Sequence, residues 1–197
     1  PIILNKRQAG AAIEGALRQD QALIERLAVD THGFTYFAMA LAKLVGFDLC
    51  PRLAHLGDRK LHLPRGFAVP ERLRPIARDT VPVRAIAKGW DALLRIAASV
   101  KAGWCSATYI LERFGSDARG DAAFKAGDAL GRLLTTNYLC GYFSDPAFRG
   151  VILDLLNQGE AVHGLQRAIH AGPVTAKRGR TPEQLAAISG ALTLLTN

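Results

Sequence analysis

Two carboxylates in this chain stand where residue type and spacing suit the holding of a cation. Asp30 closes the apolar run Leu27-Ala28-Val29 and is followed by Thr31-His32-Gly33-Phe34. Glu160 follows Asn157-Gln158-Gly159 and precedes Ala161-Val162-His163-Gly164-Leu165-Gln166-Arg167-Ala168-Ile169-His170. On a helix starting at the carboxylate, at about 100° per residue, Glu160, His163, Arg167 and His170 fall within roughly 80° of one another. Val162, Leu165 and Ile169 fall on the opposite side. An acid that holds a cation, with Arg167 two turns along to grip an adjoining phosphate, is the combination a phosphate-handling helix needs. Such a pair of acids suits two members of an acidic metal-binding triad. Each acid also has a plainer reading. Asp before a Gly turn commonly bonds local backbone N–H groups, and an amphipathic surface helix commonly carries a charged wet face.

The elements that must position these groups can be read from the same sequence. Leu23 to Val29 reads as a mostly apolar strand, which puts Asp30 at its carboxyl end, where open α/β sheets usually place chemistry. Phe34 to Phe47 reads as a helix terminated by Gly46. Phe47, Leu49 and Leu53 alternate as in a second strand, with Pro51 marking an edge or an irregularity. Lys60-Leu61-His62-Leu63 reads as a short strand returning beside it. Ala11 to Arg18 reads as a helix ahead of all these. From Pro64 the chain turns into an Arg-rich irregular connection punctuated by Pro70, Pro75 and Pro82. Helical periodicity follows. One helix runs from about Val83 to Ala102, with Trp90, Leu93, Leu94 and Ala97 on its apolar face. A second is capped by Ser106 and ends near Gly115. A third is capped by Asp121 and reaches about Tyr142, and a fourth runs from Pro146 to about Asn157. Thr181, Pro182 and Gln184 open a last helix, with Thr181 as N-cap. That helix meets no stop signal before Asn197, so the chain reads as a piece of a longer protein.

Composition narrows the functional classes. Apolar residues make up 49% of the 197 residues, ample for a core, and no apolar stretch reaches the roughly 20 residues of a membrane-spanning helix. The net charge of +8 is spread along the chain and favours an anionic partner, nucleic acid being the commonest. Cys50, Cys105 and Cys140 are widely spaced in apolar surroundings. They read as reduced, packed thiols rather than as a zinc site or a disulfide framework. There is no P-loop, no G-x-G-x-x-G after a strand, no G-x-S-x-G and no H-E-x-x-H.

Several segments in order along nearly the whole chain resemble the transposases of the Tn-three family of bacterial replicative transposons. They are Val29-Asp30-Thr31-His32-Gly33-Phe34-Thr35, Gly46-Phe47-Asp48-Leu49-Cys50-Pro51-Arg52-Leu53, Leu93 to Gly103, Leu130-Gly131-Arg132 and Asn157 to His163. The resemblance implies a ribonuclease-H-like α/β core, incomplete on its N-terminal side and mostly helical overall because of a large all-helical insertion. Residues 1–63 would form part of the core, 64–157 the insertion, and 158–197 the closing catalytic helix and the start of a C-terminal helix. It implies an Asp-Asp-Glu triad with two Mg²⁺ ions, Mn²⁺ being a substitute. Asp30 matches the second Asp and Glu160 the Glu, and the first Asp would lie upstream of Pro1. Tyr36 stands where many relatives carry an acid.

The activity implied is nicking of transposon DNA ends and transfer of the freed 3′-OH strand to target DNA. DNA would be the partner, in a cytoplasmic, nucleoid-associated bacterial setting without a membrane; the oligomeric state, a homodimeric parent included, stays open. Arg167 and His163 are the first candidates for phosphate contact, and Arg52, Arg59 and Lys60 for the DNA backbone. The isolated chain, lacking the first Asp, is expected to bind metal weakly and cut nothing. Two other classes stand beside this one. A catalytically inactive, truncated transposase would act only as a DNA- or partner-binding fragment, and a host nuclease would cut generic nucleic acid.

Overall fold

β1 (Arg26–Val29) and β2 (Asp48–Pro51) pair in parallel, Arg26 opposite Asp48 and Val29 opposite Pro51, and α2 (Tyr36–Val45) crosses between them. Parallel neighbours require such a crossover, because a tight hairpin cannot reverse the chain twice. The structure is a computed structural model and describes residues 8–19, 23–114, 120–169 and 181–196. Thr35 caps α2 by accepting from the Ala38 N–H at 3.0 Å. Gly46, at φ +124°, ends the helix with its N–H on the Ala42 carbonyl at 3.1 Å. Between these caps Phe37, Ala38, Met39, Ala40, Leu41, Ala42 and Val45 are all buried, so α2 is the centre of the core rather than a surface helix.

α3 (Val83–Lys101), α4 (Ala107–Arg113) and α5 (Ala122–Ser144) follow, and α5 packs against both α2 and α3. Small residues permit this approach. A Cβ on Gly131 would stand 1.7 Å from the Tyr36 carbonyl oxygen, and one on Gly89 would stand 2.2 Å from that of Ala122. Phe37, Phe114 and Phe124 fill the space between the three helices, with ring centroids 4.8 to 6.2 Å apart. α1 (Gln8–Leu17) lies on α4 and on the Thr31–Gly33 turn. α6 (Pro146–Ile169) follows α5 after the single residue Asp145, whose carboxylate accepts from the Ala147 and Phe148 N–H groups. α7 (Pro182–Thr196) packs on α6. No described helix is long and apolar enough to cross a membrane.

The structure corrects the sequence reading of these elements in several places. The first strand begins at Arg26 rather than Leu23, which is 91% exposed. β3 (Leu61–Pro64) does not return beside β2 but pairs in parallel with β4 (Ala77–Val81). The Tyr138 hydroxyl donates to the Pro51 carbonyl at 2.9 Å, and Pro51 has no N–H to offer a third strand. β4 itself falls in the stretch read as irregular; its short Ala-Arg-Asp-Thr-Val sequence carries charge and sits between Pro75 and Pro82, which hides it from pattern reading. On α3, Gly89, Leu93, Ala97 and Val100 are buried, whereas Trp90 and Leu94 stand 37% and 39% exposed at the margins of the apolar face. Finally, Cys50 alone of the three thiols is buried; Cys140 is exposed. Burial pushes the Cys50 thiol up to about 11, which keeps it protonated and unreactive.

Candidate active site

Asp30 follows the last residue of β1 and stands at the carboxyl end of the parallel pair. The 3₁₀ turn Thr31–Gly33 folds back at once, and the Gly33 N–H donates to both Asp30 Oδ1 and the Asp30 carbonyl, each at 3.1 Å. Glycine is required for this closure, because a Cβ on Gly33 would stand 2.8 Å from the Val29 Cβ. The hydrogen bond is the turn role that Asp residues commonly play. It also fixes one carboxylate oxygen and leaves the carboxylate half-buried at a cavity wall.

Glu160 does not start a helix. The fourth helix, expected to end near Asn157, continues through Gly159 and Glu160 to Ile169 as one α6 of 24 residues. Gly159 weakens the interior of a helix by about 1 kcal/mol relative to Ala, which by itself is too little to break a long one. Of the α6 residues only Ile152 is buried, and the turn bearing Glu160 is exposed. Val162, Leu165 and Ile169, the apolar side, are 43%, 49% and 42% exposed.

Asp30, Glu160 and His163 line one cavity of about 230 Å³. Its other walls are Gln8 and Ala12 of α1, Ala28 and Val29 of β1, Gly33 of the turn, and Leu155, Leu156 and Gly159 of α6. The fold therefore brings together the two acids chosen from the sequence, and one of the two chosen basic groups of α6. Arg167 lies one turn further along, exposed, its Nη2 3.9 Å from where a Cβ on Gly164 would be. His170 lies outside the described residues. Arg59 and Lys60 are half-buried and do not line the cavity; Arg59 donates from Nε to the Ala54 carbonyl at 3.1 Å and lies 5.7 Å from the Phe34 ring centroid.

Arg52, half-buried, bridges the two acids' elements. Its N–H donates to the Val29 carbonyl at 2.7 Å, and its Nη2 donates to Asn157 Oδ1 at 3.0 Å. Gln8 and Asn157 were missed by sequence reasoning. Neither carries a periodic or motif signal of its own, although Asn157 opens the Asn-Gln-Gly-Glu stretch. Among the described residues no three His, Cys, Asp or Glu side chains gather into a metal-binding group. Two carboxylates facing one cavity nevertheless match the hard oxygen donors that Mg²⁺ prefers. A larger cavity of about 290 Å³ lies toward the amino ends of β1 and β2. Its carboxylate, Asp48, is paired with Lys43 at 2.7 Å, and Arg26 there covers the Phe148 ring at 5.5 Å.

An α/β unit with an acid at a strand's carboxyl end, facing a second acid on a later helix, defines a candidate carboxylate metal site. The Tn3 transposase DDE domain matches residues 1–197, and the chain belongs to that family. It is 48% identical, over its whole length, to the transposase for insertion sequence element IS1071 in transposon Tn5271 of Comamonas testosteroni, and covers 20% of that protein. It is 34% identical over 88% of its length to the transposase for transposon Tn21 of Escherichia coli, covering 18% of it. It is 32% identical over 96% of its length to the transposase for transposon Tn501 of Pseudomonas aeruginosa, covering 19%. The chain thus spans about a fifth of the length of the curated relatives it matches.

Proposed function

We propose that this chain is the catalytic region of a transposase that nicks transposon DNA ends and transfers the freed 3′-OH strand to target DNA. Asp30 and Glu160 are its metal-holding carboxylates. The observation that carries this reading is that the two acids, distant in sequence, line one cavity. The ribonuclease-H-like reading of the core draws support from the parallel β1–α2–β2 unit with Asp30 at its carboxyl end. A third carboxylate, the family's first Asp, is expected from upstream in the parent protein.

Divalent ions held by Asp30 and Glu160 would supply activation of a water or 3′-hydroxyl and neutralisation of the leaving oxygen. The chain's own residues do the rest. Asp30 is oriented by the Gly33 N–H, so its oxygen is presented without searching rotamers. Glu160 of α6 lines the same cavity, with His163 one turn beyond to meet a phosphate oxygen. Arg167, on the next turn, offers a forked guanidinium to the adjoining phosphate. Arg59 and Lys60 would extend the basic track along the DNA backbone.

The test is transposon-end binding, cleavage and strand transfer by the full-length parent, with Mg²⁺ or Mn²⁺, for wild type, Asp30→Asn and Glu160→Gln. Both variants are expected to bind ends normally and to lose cleavage and joining by more than about 100-fold, beyond the usual cost of disturbing a residue behind a metal ligand. Near wild-type activity in either variant returns that residue to its structural role.

A further inference from the structure

We propose that Arg52 is a positioning residue that sets where Glu160 stands relative to Asp30, an inference resting on the carboxylate-site reading above. Three contacts of this one residue bear on both acids. Its backbone N–H donates to the carbonyl of Val29, immediately before Asp30, at 2.7 Å. Its carbonyl accepts from Thr31 Oγ1, immediately after Asp30, at 3.2 Å. Its guanidinium reaches across to Asn157 Oδ1 on α6 at 3.0 Å. Asn157 lies three residues before Glu160, on the same side of the helix. The backbone of Arg52 therefore brackets one acid, and its side chain holds the helix that carries the other.

This tether matters because packing holds α6 at that level only on the side of the half-buried Leu156, which lies against the core. Ile152 is its buried residue, while Asn157, Gln158, Gly159 and Glu160 are all exposed. Gly159 also leaves the backbone before Glu160 more pliable than any other residue would. A polar tie one turn before Glu160 limits how far the carboxylate can swing from the cavity, and two carboxylates share a cation well only when both are held in place. The sequence reading assigned Arg52 to the DNA backbone. The Asn157 hydrogen bond engages one N–H of its guanidinium within the protein, and the two roles make opposite predictions.

The experiment uses the full-length parent with Arg52→Ala, Asn157→Ala, the double variant and Asn157→Asp, taking Glu160→Gln as reference. Three quantities are read: Mn²⁺ occupancy by electron paramagnetic resonance titration, end affinity as a function of salt, and cleavage as a function of Mn²⁺. Arg52→Ala and Asn157→Ala are each expected to raise the Mn²⁺ concentration for half-occupancy about tenfold. The double variant should be no worse than either single one, since both remove the same tie. Asn157→Asp should restore occupancy relative to Asn157→Ala, because a carboxylate is a stronger partner for arginine. Cleavage should recover at high Mn²⁺, and the salt slope of end binding should not change.

A salt slope reduced by about one in Arg52→Ala, with Asn157→Ala silent, would make Arg52 a phosphate contact and overturn the proposal. Unchanged Mn²⁺ occupancy in both variants would overturn it too. Should Arg52→Ala fail to fold, Asn157→Ala removes the same hydrogen bond from an exposed helix position and decides the matter alone. If Glu160→Gln itself keeps Mn²⁺ occupancy and cleavage, the site reading fails; dependence on Glu160 with silent Arg52 and Asn157 sinks only the positioning role.

Discussion

Glu14, on α1, accepts from the Ser106 hydroxyl at 2.6 Å and from the Thr108 N–H at 3.5 Å, with Arg18 alongside. The Ser106 hydrogen bond above all holds its carboxyl below the ordinary carboxylate range. A depressed carboxyl contributes stability that is complete above the unfolded-state value near 4.3 and is lost as pH falls through the folded value. Glu14→Gln should therefore cost about 1 kcal/mol at neutral pH. The difference from wild type should shrink below about pH 4; chemical denaturation at pH 7 and pH 3 checks it. The same carboxylate ties α1 to α4, and α1 also packs on the turn that bears Asp30, so this residue steadies the cavity wall from outside. Tyr36 makes a second instructive case. Where the resemblance leads one to expect an acid, its ring lies under the Arg132 guanidinium at 4.8 Å, and its hydroxyl meets His62 Nε2 at 3.0 Å. A cation–π contact thus occupies Arg132, which also pairs with Asp128.

At the scale of elements, helix ends were more legible than helix continuity. Ser106, Asp121 and Thr181 cap helices where their sequence neighbourhoods place them, and Gly46 ends α2, whereas the helix read from Phe34 starts only at Tyr36, with Thr35 as its cap. Each of these signals acts within one turn, between a side chain and nearby backbone N–H groups. The break expected between Asn157 and Glu160 did not exist, because isolated glycines, here Gly150, Gly159 and Gly164, perturb a helix without ending it. Contact between helices was also written in glycines, but without showing which helices meet. Gly131, in the Leu-Gly-Arg motif, lets α5 lie on the first turn of α2. Gly131→Ala should destabilise the protein by about 1–3 kcal/mol or more, since the obstructing atom is a backbone carbonyl that cannot rotate away. The unfolding midpoint in denaturant measures this. An unshifted midpoint would mean that α5 and α2 do not meet as described.

Over the whole molecule, one hydrophobic cluster joins β1, β2 and α2 to α3, α4, α5 and Ile152 of α6. α3, α4, α5 and the Ile152 level of α6 are therefore packed into the same core as the Asp30 unit. The charge of +8 is likewise a property of the whole chain. If the basic groups track a DNA backbone, affinity of the parent for non-specific duplex should fall linearly on a log–log scale with salt. Arg167→Ala should then reduce that slope by about one, and Arg59→Ala and Lys60→Ala likewise, across unrelated sequences. A slope unchanged by Arg167→Ala would remove it from the interface.

Residue types and short-range spacing determined the caps at Ser106, Asp121 and Thr181, the terminating glycine, the apolar α2 and the choice of Asp30 and Glu160, while motifs in order along the chain carried the family resemblance. Those features depend on interactions within a turn or two, or on identities that folding does not alter. Only the tertiary structure decided that the two acids face one cavity, that β3 takes β4 as its partner, and that Arg52 spans from Val29 to Asn157. These are long-range contacts. Their free energy comes from surfaces and hydrogen-bonding groups far apart in the chain, and no local pattern records which of them will meet.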